Sequence, residues 1–120
     1  MRTLLIGILF LFSCCGFGQI SVNTGLHCGT NNKKALEYFN SGNFGLQTNR
    51  LDGAIKLYYG AVSLDSTFCD AWDNLAVCYR KLERYDDAFN SSIRSLMIDS
   101  TNVTAWVNCG NVSFLQNDIY

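Results

Sequence analysis

The chain has 120 residues, room for one modest domain, and 48% of them are apolar, which argues against general disorder. Charged residues make up 16% and the formal net charge is −1, so a large basic surface for nucleic acid is excluded. Proline is absent, which allows long helices and excludes proline-rich recognition segments.

The first 18 residues predict an export signal. Arg2 supplies a positive start, an apolar run follows over residues 4–12, and Gly16 and Gly18 fit a small-residue cleavage site. We predict cleavage after Gly18, which would leave Gln19 at the mature N-terminus with eight cations against ten anions, a net charge of −2. The protein is therefore expected to be exported, to the periplasm, the cell envelope or the outside of the cell.

Two other fates of this segment stay open. A retained membrane anchor usually needs about 20 apolar residues, and this run is shorter and is interrupted by Ser13 and glycines. The sequence "LFSC" resembles a lipobox, the signal for acylation of Cys14, although Phe12 is bulky where that motif prefers a small residue. Contact with a membrane is expected only if the segment is retained or Cys14 is lipidated.

Four cysteines would remain after cleavage: Cys28, Cys69, Cys78 and Cys109. On one helix, Cys69 and Cys78 would lie about 13 Å apart, well beyond the roughly 7 Å that a disulfide can span. A Cys78–Cys109 disulfide between neighbouring helices stays open. We interpret the cysteines as small buried apolar residues.

A repeat of 34 residues organises the rest of the chain. Residues 19–32 are polar and without periodicity, so we predict a loose leader there. Residues 35–68 align with residues 69–102, and a partial third unit occupies residues 103–120. Chance would give about two identities. Seven pairs are identical: Asn40/Asn74, Arg50/Arg84, Asp52/Asp86, Ala54/Ala88, Asp65/Asp99, Ser66/Ser100 and Thr67/Thr101.

Each unit has the spacing of a helical hairpin. In the middle unit, one apolar stripe recurs at i, i+3, i+4 and i+7, which predicts a first helix. A charged turn over residues 81–86 precedes a second stripe, and Ser100 or Thr101 is predicted to cap the following helix. The first stripe consists of Trp72, Leu75, Ala76 and Tyr79, and the second of Ala88, Phe89, Ser92, Ile93, Leu96 and Met97.

These residues resemble a tetratricopeptide repeat (TPR). The family favours Trp, Leu, a small residue and Tyr at the spacing of the first stripe, and Ala at the place of Ala88. The resemblance covers residues 33–120 and is weaker in the first unit, where Ser41 and Gly45 replace large residues. It implies an all-α fold, a TPR-like α-solenoid of about two and a half 34-residue helical hairpins.

The last unit is incomplete. Tyr120 falls where its second helix should begin, and Asp118 is the only charge from residue 103 onward. We therefore expect either a fragment of a longer repeat array or a chain that pairs with something. The side chains expected to be partly uncovered are Val107, Val112, Phe114 and Leu115.

No catalytic constellation is found in the sequence. The only histidine, His27, lies in the predicted leader, outside the reach of a Ser-His-Asp arrangement. His27 and Cys28 are not followed by a second ligand pair of useful spacing for a metal. We predict a protein that is not an enzyme and that has no metal and no cofactor.

The resemblance implies binding of a peptide or protein segment in the groove lined by first helices. Asparagine recurs at one place in every unit, and a row of amides would hydrogen-bond an extended peptide backbone. The alternative, that asparagine is simply common there in the family, stays open. The candidate groove residues are Asn40, Asn43, Asp70, Asp73, Asn74, Val77, Asn108 and Asn111.

One TPR subtype binds C-terminal carboxylates through Lys, Asn and Arg. Asn43 and Asn74 match its asparagines, but Phe39, Thr104 and Asn108 occupy the cationic positions, so carboxylate-tail binding is not predicted. The leading prediction is a non-catalytic protein-interaction scaffold whose partner the sequence does not identify. The alternatives are an accessory or sensory region of a larger enzyme or signalling protein, and a lipid-anchored assembly factor.

Overall fold

The computed structural model describes residues 28–117, which form five helices and no strand. Two complete helical hairpins, α1–α2 and α3–α4, are followed by α5, the first helix of a third unit, so the predicted all-α hairpin fold is confirmed. The predicted signal segment, residues 19–27 and residues 118–120 lie outside the described residues. The helices are α1 (Lys33–Gln47), α2 (Leu51–Leu64), α3 (Cys69–Lys81), α4 (Tyr85–Ile98) and α5 (Val103–Asn117).

The turn inside each hairpin has the same backbone in both units. Asn49 and Glu83 take positive φ angles of 58° and 59° at equivalent positions. The next N–H in each unit reaches back to the first helix: Arg50 donates to the Gly45 carbonyl at 2.7 Å, and Arg84 to that of Tyr79 at 2.9 Å. These bonds satisfy carbonyls at the helix end, so the chain reverses within three residues.

The junction between hairpins is also repeated. Trp72 and Trp106 each donate an indole N–H to a serine carbonyl six residues earlier, at 3.1 and 2.9 Å. The predicted caps of α5 were wrong, because Asn102 takes that role. Its Oδ1 accepts from the backbone N–H of Thr104 at 3.0 Å and of Ala105 at 3.4 Å. Only the residue immediately before the helix is placed to bond its first N–H groups.

Equivalent core positions of the two units carry opposite chemistry. In the first unit, Phe39 packs against Tyr58 and Phe68, with ring centroids 5.7 and 4.8 Å apart. Of the residues 34 positions later, Asp73 and Asn102 form a buried polar cluster with Ser95, in which the Asn102 amide donates to Asp73 Oδ2 at 2.8 Å. The paired positions are Phe39/Asp73, Tyr58/Ser92 and Phe68/Asn102. Ser92 is fully buried and donates its hydroxyl to the Ala88 carbonyl of its own helix at 3.1 Å.

Small residues let the helices of the first hairpin approach closely. A Cβ at Gly45 would lie 3.2 Å from the Cβ of Ala54, and a Cβ at Gly42 would lie 2.7 Å from the Tyr58 ring. A Cβ at Gly110, the equivalent position of α5, would meet nothing within 4 Å. Within residues 28–117, α5 has no second helix packed on this side.

The exposed side of α5 differs in part from the prediction. Val107 and Phe114 are 53% and 66% exposed, as expected, and Trp106 is 59% exposed. Val112 is fully buried and Leu115 is half-buried, so the prediction was wrong for Val112. Val112 belongs to the core cluster of buried residues.

Residues 28–32, here called the strap, are bound to the junction between α2 and α3. Cys28 forms a disulfide with Cys69, with Cα atoms 5.4 Å apart, and its N–H donates to Asp70 Oδ2 at 2.9 Å. Thr30 donates its hydroxyl to Asp65, and Asn32 caps α1 by accepting from the Ala35 N–H at 3.0 Å. The predicted looseness of the leader is therefore wrong for these five residues.

The cysteine interpretation is correct for one pair and wrong for the other. Cys78 and Cys109 are buried free thiols, so no disulfide joins them. Cys28 and Cys69 are cross-linked instead. Helical spacing could not indicate this pair, because Cys28 precedes the first helix and meets α3 only through the tertiary fold.

Candidate functional site

The helices form two layers, and the first helices make a continuous one. α1 contacts α3, and α3 contacts α5. The surface of these three helices is called the inner face. α2 and α4 each pack on α3 and, among the described residues, their backbones make no contact with each other. All eight predicted groove residues lie on the three inner-face helices.

Two predicted groove residues, Asn43 and Asn74, bond to each other across the inner face. The Tyr58 hydroxyl donates to Asn43 Oδ1 at 2.7 Å, and the Asn74 amide donates to the same oxygen at 2.9 Å. Asn74 Nδ2 also lies 3.3 Å from the Tyr58 hydroxyl oxygen. Burial raises the pKa of Tyr58 far above its ordinary value, so the hydroxyl stays a neutral donor.

This triad leaves one donor group and one acceptor for a ligand. Within residues 28–117, the Asn43 NH2 group and the Asn74 Oδ1 atom make no hydrogen bond. Both side chains are half-buried and held in place by the shared bonds. An adjacent amide donor and carbonyl acceptor complement the C=O and N–H groups of a peptide backbone.

Three predicted groove residues are buried by tertiary contacts. Asp70 is tied to the strap, and Asp73 belongs to the polar cluster with Asn102. Asn108 is 6% exposed, and its amide donates to the backbone carbonyl of Asp73 at 3.4 Å. Position within a unit indicates the face of a helix, but it does not show which neighbour covers that face.

The other three predicted residues remain accessible. Asn40 and Asn111 are exposed, and Val77 is half-buried on α3 between them. Asn40 is more exposed than its equivalents Asn74 and Asn108. Within the described residues, no first helix of a preceding unit packs against α1. The structure therefore keeps five of the predicted side chains within reach of a ligand. They are Asn40, Asn43, Asn74, Val77 and Asn111.

The three positions that would be cationic in a carboxylate-binding TPR differ in their exposure to solvent. Phe39 is buried in the aromatic cluster, and Asn108 is buried beneath the inner face. Thr104 is exposed near the start of α5. No positive charge occupies any of the three, so the electrostatic attraction that such a clamp exerts on a carboxylate is missing.

A second concave surface, not identified from the sequence, lies between α2 and α4 and is called the outer groove. It contains two adjoining cavities of about 450 and 230 Å³ that share Trp72 and Arg94. One sequence signal could have indicated this groove, namely that Tyr59 and Ile93 are large residues at equivalent positions of the two units. In the structure they are 46% and 37% exposed. Its principal lining residues are Tyr59, Trp72, Tyr79, Ile93, Arg94 and Met97.

The thiols of the described residues are poorly suited to catalysis. Burial raises the pKa of Cys78 to about 11 and also raises that of Cys109, so both stay protonated near neutral pH. Residues 28–117 contain no group of three or more His, Cys, Asp or Glu side chains that could hold a metal ion. His27, which is not expected to bind a metal together with Cys28, lies outside these residues.

None of the helices in residues 28–117 is long and apolar enough to cross a membrane.

Residues 70–102, which cover most of α3, all of α4 and the turn to α5, match the family model described as "Tetratricopeptide repeat". No curated protein matches the chain in sequence.

Several solved structures resemble the chain, among them two TPR domains. One is the second TPR of Spaghetti (RPAP3) bound to the HSP90 peptide SRMEEVD, with a TM-score of 0.69 and 19% identity over 72% of this chain and 80% of that one. The other is the Arabidopsis OM64 TPR domain, with a TM-score of 0.70 and 19% identity over 74% of each chain. The predicted TPR-like fold is thereby confirmed.

Proposed function

We propose that this TPR-like stack is a non-catalytic protein-interaction scaffold that binds a peptide or protein segment on its inner face. The observation that carries the proposal is the Asn43–Asn74 pair, which leaves an amide donor and a carbonyl acceptor side by side. The RPAP3 domain of the same fold, solved with a bound peptide, supports this use of the scaffold.

The ligand would bind as an extended segment. One residue of the segment would accept at its C=O from the Asn43 NH2 group and donate its N–H to Asn74 Oδ1, because these two groups of an extended residue point to the same side. Val77 offers apolar contact on the same face. The exposed amides of Asn40 and Asn111 would contact the segment farther along. Backbone contacts give affinity without demanding one sequence, so specificity would come from the ligand's side chains.

We expect the acidic peptide SRMEEVD not to bind here. The three clamp positions carry no positive charge, since they are occupied by Phe39, Thr104 and Asn108. Calorimetric titrations of the full chain and of Asn74→Ala with this peptide should therefore be the same. Binding to the full chain that Asn74→Ala abolishes would place the peptide on the inner face and contradict this specificity.

Asn74→Ala tests the site directly. The substitution removes the acceptor offered to the ligand and the bond that orients Asn43, so the affinity for the partner should fall roughly 3- to 10-fold. Helicity measured by circular dichroism should stay intact, because Ala favours the helix and the lost bonds are between side chains. The partner would be recovered by pull-down with the full chain and identified by mass spectrometry.

Asn90→Ala is the comparison, because it removes an asparagine side chain that is exposed on α4 and lines the larger cavity of the outer groove instead of the inner face. The proposal predicts unchanged affinity for this variant. If Asn74→Ala and Asn90→Ala bind the partner with the same affinity, the inner-face assignment fails.

A second candidate function is an accessory or sensory region of a larger enzyme or signalling protein. The exposed Trp106, Val107 and Phe114 of α5 favour it, because contiguous exposed apolar side chains mark surfaces that contact other protein. Sequencing the reading frame downstream of Tyr120 would decide: a catalytic domain there supports this candidate, and a stop codon rejects it.

We also propose that the protein is exported. The signal-like residues 1–18 support this, and so does the Cys28–Cys69 disulfide, because disulfides persist mainly in oxidising compartments. Mass spectrometry of the mature N-terminus should find Gln19. An acylated Cys14 would instead indicate a lipoprotein, and an intact Met1 in cytosolic protein would contradict export.

A further inference from the structure

The outer groove is built by the divergence of two helices over a third. α2 and α4 both lie on α3, and the space between them is floored by Trp72 and Tyr79. The larger cavity, of about 450 Å³, lies between Tyr59 on α2 and Ile93 on α4, and the smaller one extends toward Met97. Their volumes are together in the range of ordinary ligand sites.

The aromatic side chains of the outer groove are already fixed. The Trp72 indole N–H donates to the Ser66 carbonyl, and the Tyr59 ring meets the indole edge-on, with centroids 6.3 Å apart. Burial and the neighbouring Tyr59 hydroxyl raise the pKa of Tyr79. A ligand would therefore meet rings whose rotamers are set, and less entropy would be lost on binding.

Apolar surface remains exposed in this ordered site. Tyr59 and Ile93 are 46% and 37% exposed, and Met97 is 73% exposed. An unbranched methionine adapts to side chains of different shape. The two cavities thus offer two places for apolar side chains, and Trp72 and Arg94 line both of them.

The charge available to a ligand in the outer groove is positive. Asp87 also lines the larger cavity, but its carboxylate is 2.7 Å from the guanidinium of Arg84, which lies over the Tyr79 ring at 4.7 Å. Arg94 makes no hydrogen bond or ion pair with another residue of 28–117. It lines both cavities, so its charge stands between the two apolar places.

We propose that the outer groove is a second binding site, for a peptide segment that carries a carboxylate between two apolar side chains. The carboxylate pairs with Arg94, one apolar side chain packs against Tyr59, Trp72 and Ile93, and the other packs against Met97. This site is separate from the Asn43–Asn74 pair, because neither asparagine lines its two cavities, and it does not depend on the inner-face proposal.

The two tryptophans give a built-in readout. Trp72 floors the outer groove, while Trp106 is its equivalent in the third unit, with the same indole bond but no second helix opposite. Each gives one indole signal in the nitrogen–proton NMR spectrum of the full chain. The probe is the peptide acetyl-Gly-Leu-Glu-Phe-Gly-amide, compared with its glutamine analogue, each added to about 5 mM.

The site predicts a saturable shift of the Trp72 signal and roughly threefold weaker binding of the glutamine peptide, as expected for an exposed ion pair. Arg94→Gln should bind the two peptides with equal affinity. Met97→Glu should lower the affinity for the glutamate peptide, because it adds a carboxylate beside Arg94. Lys56→Gln, which removes the same charge from an exposed site on α2 outside both cavities, should change nothing.

The proposal fails if the Trp72 signal does not move, if Trp106 moves equally, or if Arg94→Gln keeps the preference for glutamate. Asn74→Ala should leave the Trp72 titration unchanged. Failure of the outer groove and failure of the inner face are thereby distinguished.

Discussion

Gly42 forms the tightest contact between α1 and α2. A Cβ there would lie 2.7 to 3.0 Å from ring atoms of Tyr58, and that ring cannot withdraw easily because it is fully buried and its hydroxyl bonds to Asn43. We expect the overpacking in Gly42→Ala to lower the free energy of unfolding by about 1 to 3 kcal/mol. The higher helix propensity of Ala offsets up to about 1 kcal/mol of this loss. Urea unfolding measures the difference.

Gly110→Ala is the matched control. It places the same methyl at the equivalent position of α5, where nothing lies within 4 Å, so only the gain in helix propensity remains. The control should be neutral or slightly stabilising. If Gly42→Ala proved as stable as Gly110→Ala, the close packing of α1 on Tyr58 would be disproved.

The buried thiol of Cys78 links stability to alkaline pH. Burial raises its pKa to about 11, whereas an unfolded thiol loses its proton near pH 8.5 to 9. The unfolded state therefore loses the proton first, so this contribution to stability is complete below that range and is lost as the pH rises toward 11. Urea unfolding at several pH values should show this decline.

Cys78→Ala provides the comparison for the alkaline series. The tyrosines with raised pKa values, Tyr58 and Tyr79, act in the same direction but only from about pH 10, where a free phenol begins to ionise. Between pH 8.5 and 10 the variant should therefore lose stability less steeply than the natural chain. Equal slopes would show that Cys78 titrates normally in the folded protein.

Residue identities allowed the faces of the helices to be predicted, but not the pairs formed across them. The spacing of Trp72 and Tyr79 was enough to place one side of α3 in the core, because helical period alone determines it. The bond between Asn43 and Asn74 depends on how one unit stacks on the next, which no spacing within a unit reports. The burial of Asp73 and Asn108 was missed for the same reason.

At the scale of elements, the strap attaches residues that precede the helices to the second hairpin. Its disulfide closes a loop with a sequence separation of 41, which in the chain-entropy view stabilises the fold by about 4 kcal/mol. Cys28→Ala should therefore lower the melting temperature under oxidising conditions. A reducing agent should lower that of the natural chain and leave the variant unchanged.

The carboxyl group of Asp65 reports whether the strap is attached. The hydroxyl of Thr30, and that of Thr67 next to it, hold the pKa of Asp65 below its ordinary value. Since a lowered pKa favours the folded state only while the carboxyl is ionised, this contribution is lost as the pH falls below about 4. In Cys28→Ala the pKa measured by NMR should rise; an unchanged value would show that the strap stays bound without the disulfide.

The hairpins were predictable because each is encoded within 34 residues. Equivalent turns at Asn49 and Glu83 and equivalent bonds from Trp72 and Trp106 follow from the repeated sequence. The strap was not predictable, because its cysteine partners lie in a segment without periodicity and in a helix of the next unit. Interactions between elements far apart in sequence need the assembled fold.

At the scale of the whole molecule, one stack presents two surfaces of different chemistry. The inner face offers amide groups from α1, α3 and α5, which suit a peptide backbone. The outer groove offers fixed aromatic rings and the charge of Arg94, which suit particular side chains. The resemblance indicated the first surface only, because it concerns first helices, whereas the second depends on the gap between α2 and α4.

The most direct test of the scaffold is site-specific photo-cross-linking of the full chain in its native host. A benzophenone amino acid would replace Asn40 or Asn111, exposed on the inner face, and Lys56, exposed on α2 outside both cavities. We predict the same discrete cross-linked protein from both inner positions and none from Lys56. Inner positions that give no product, or only the products obtained from Lys56, would contradict a peptide-binding inner face.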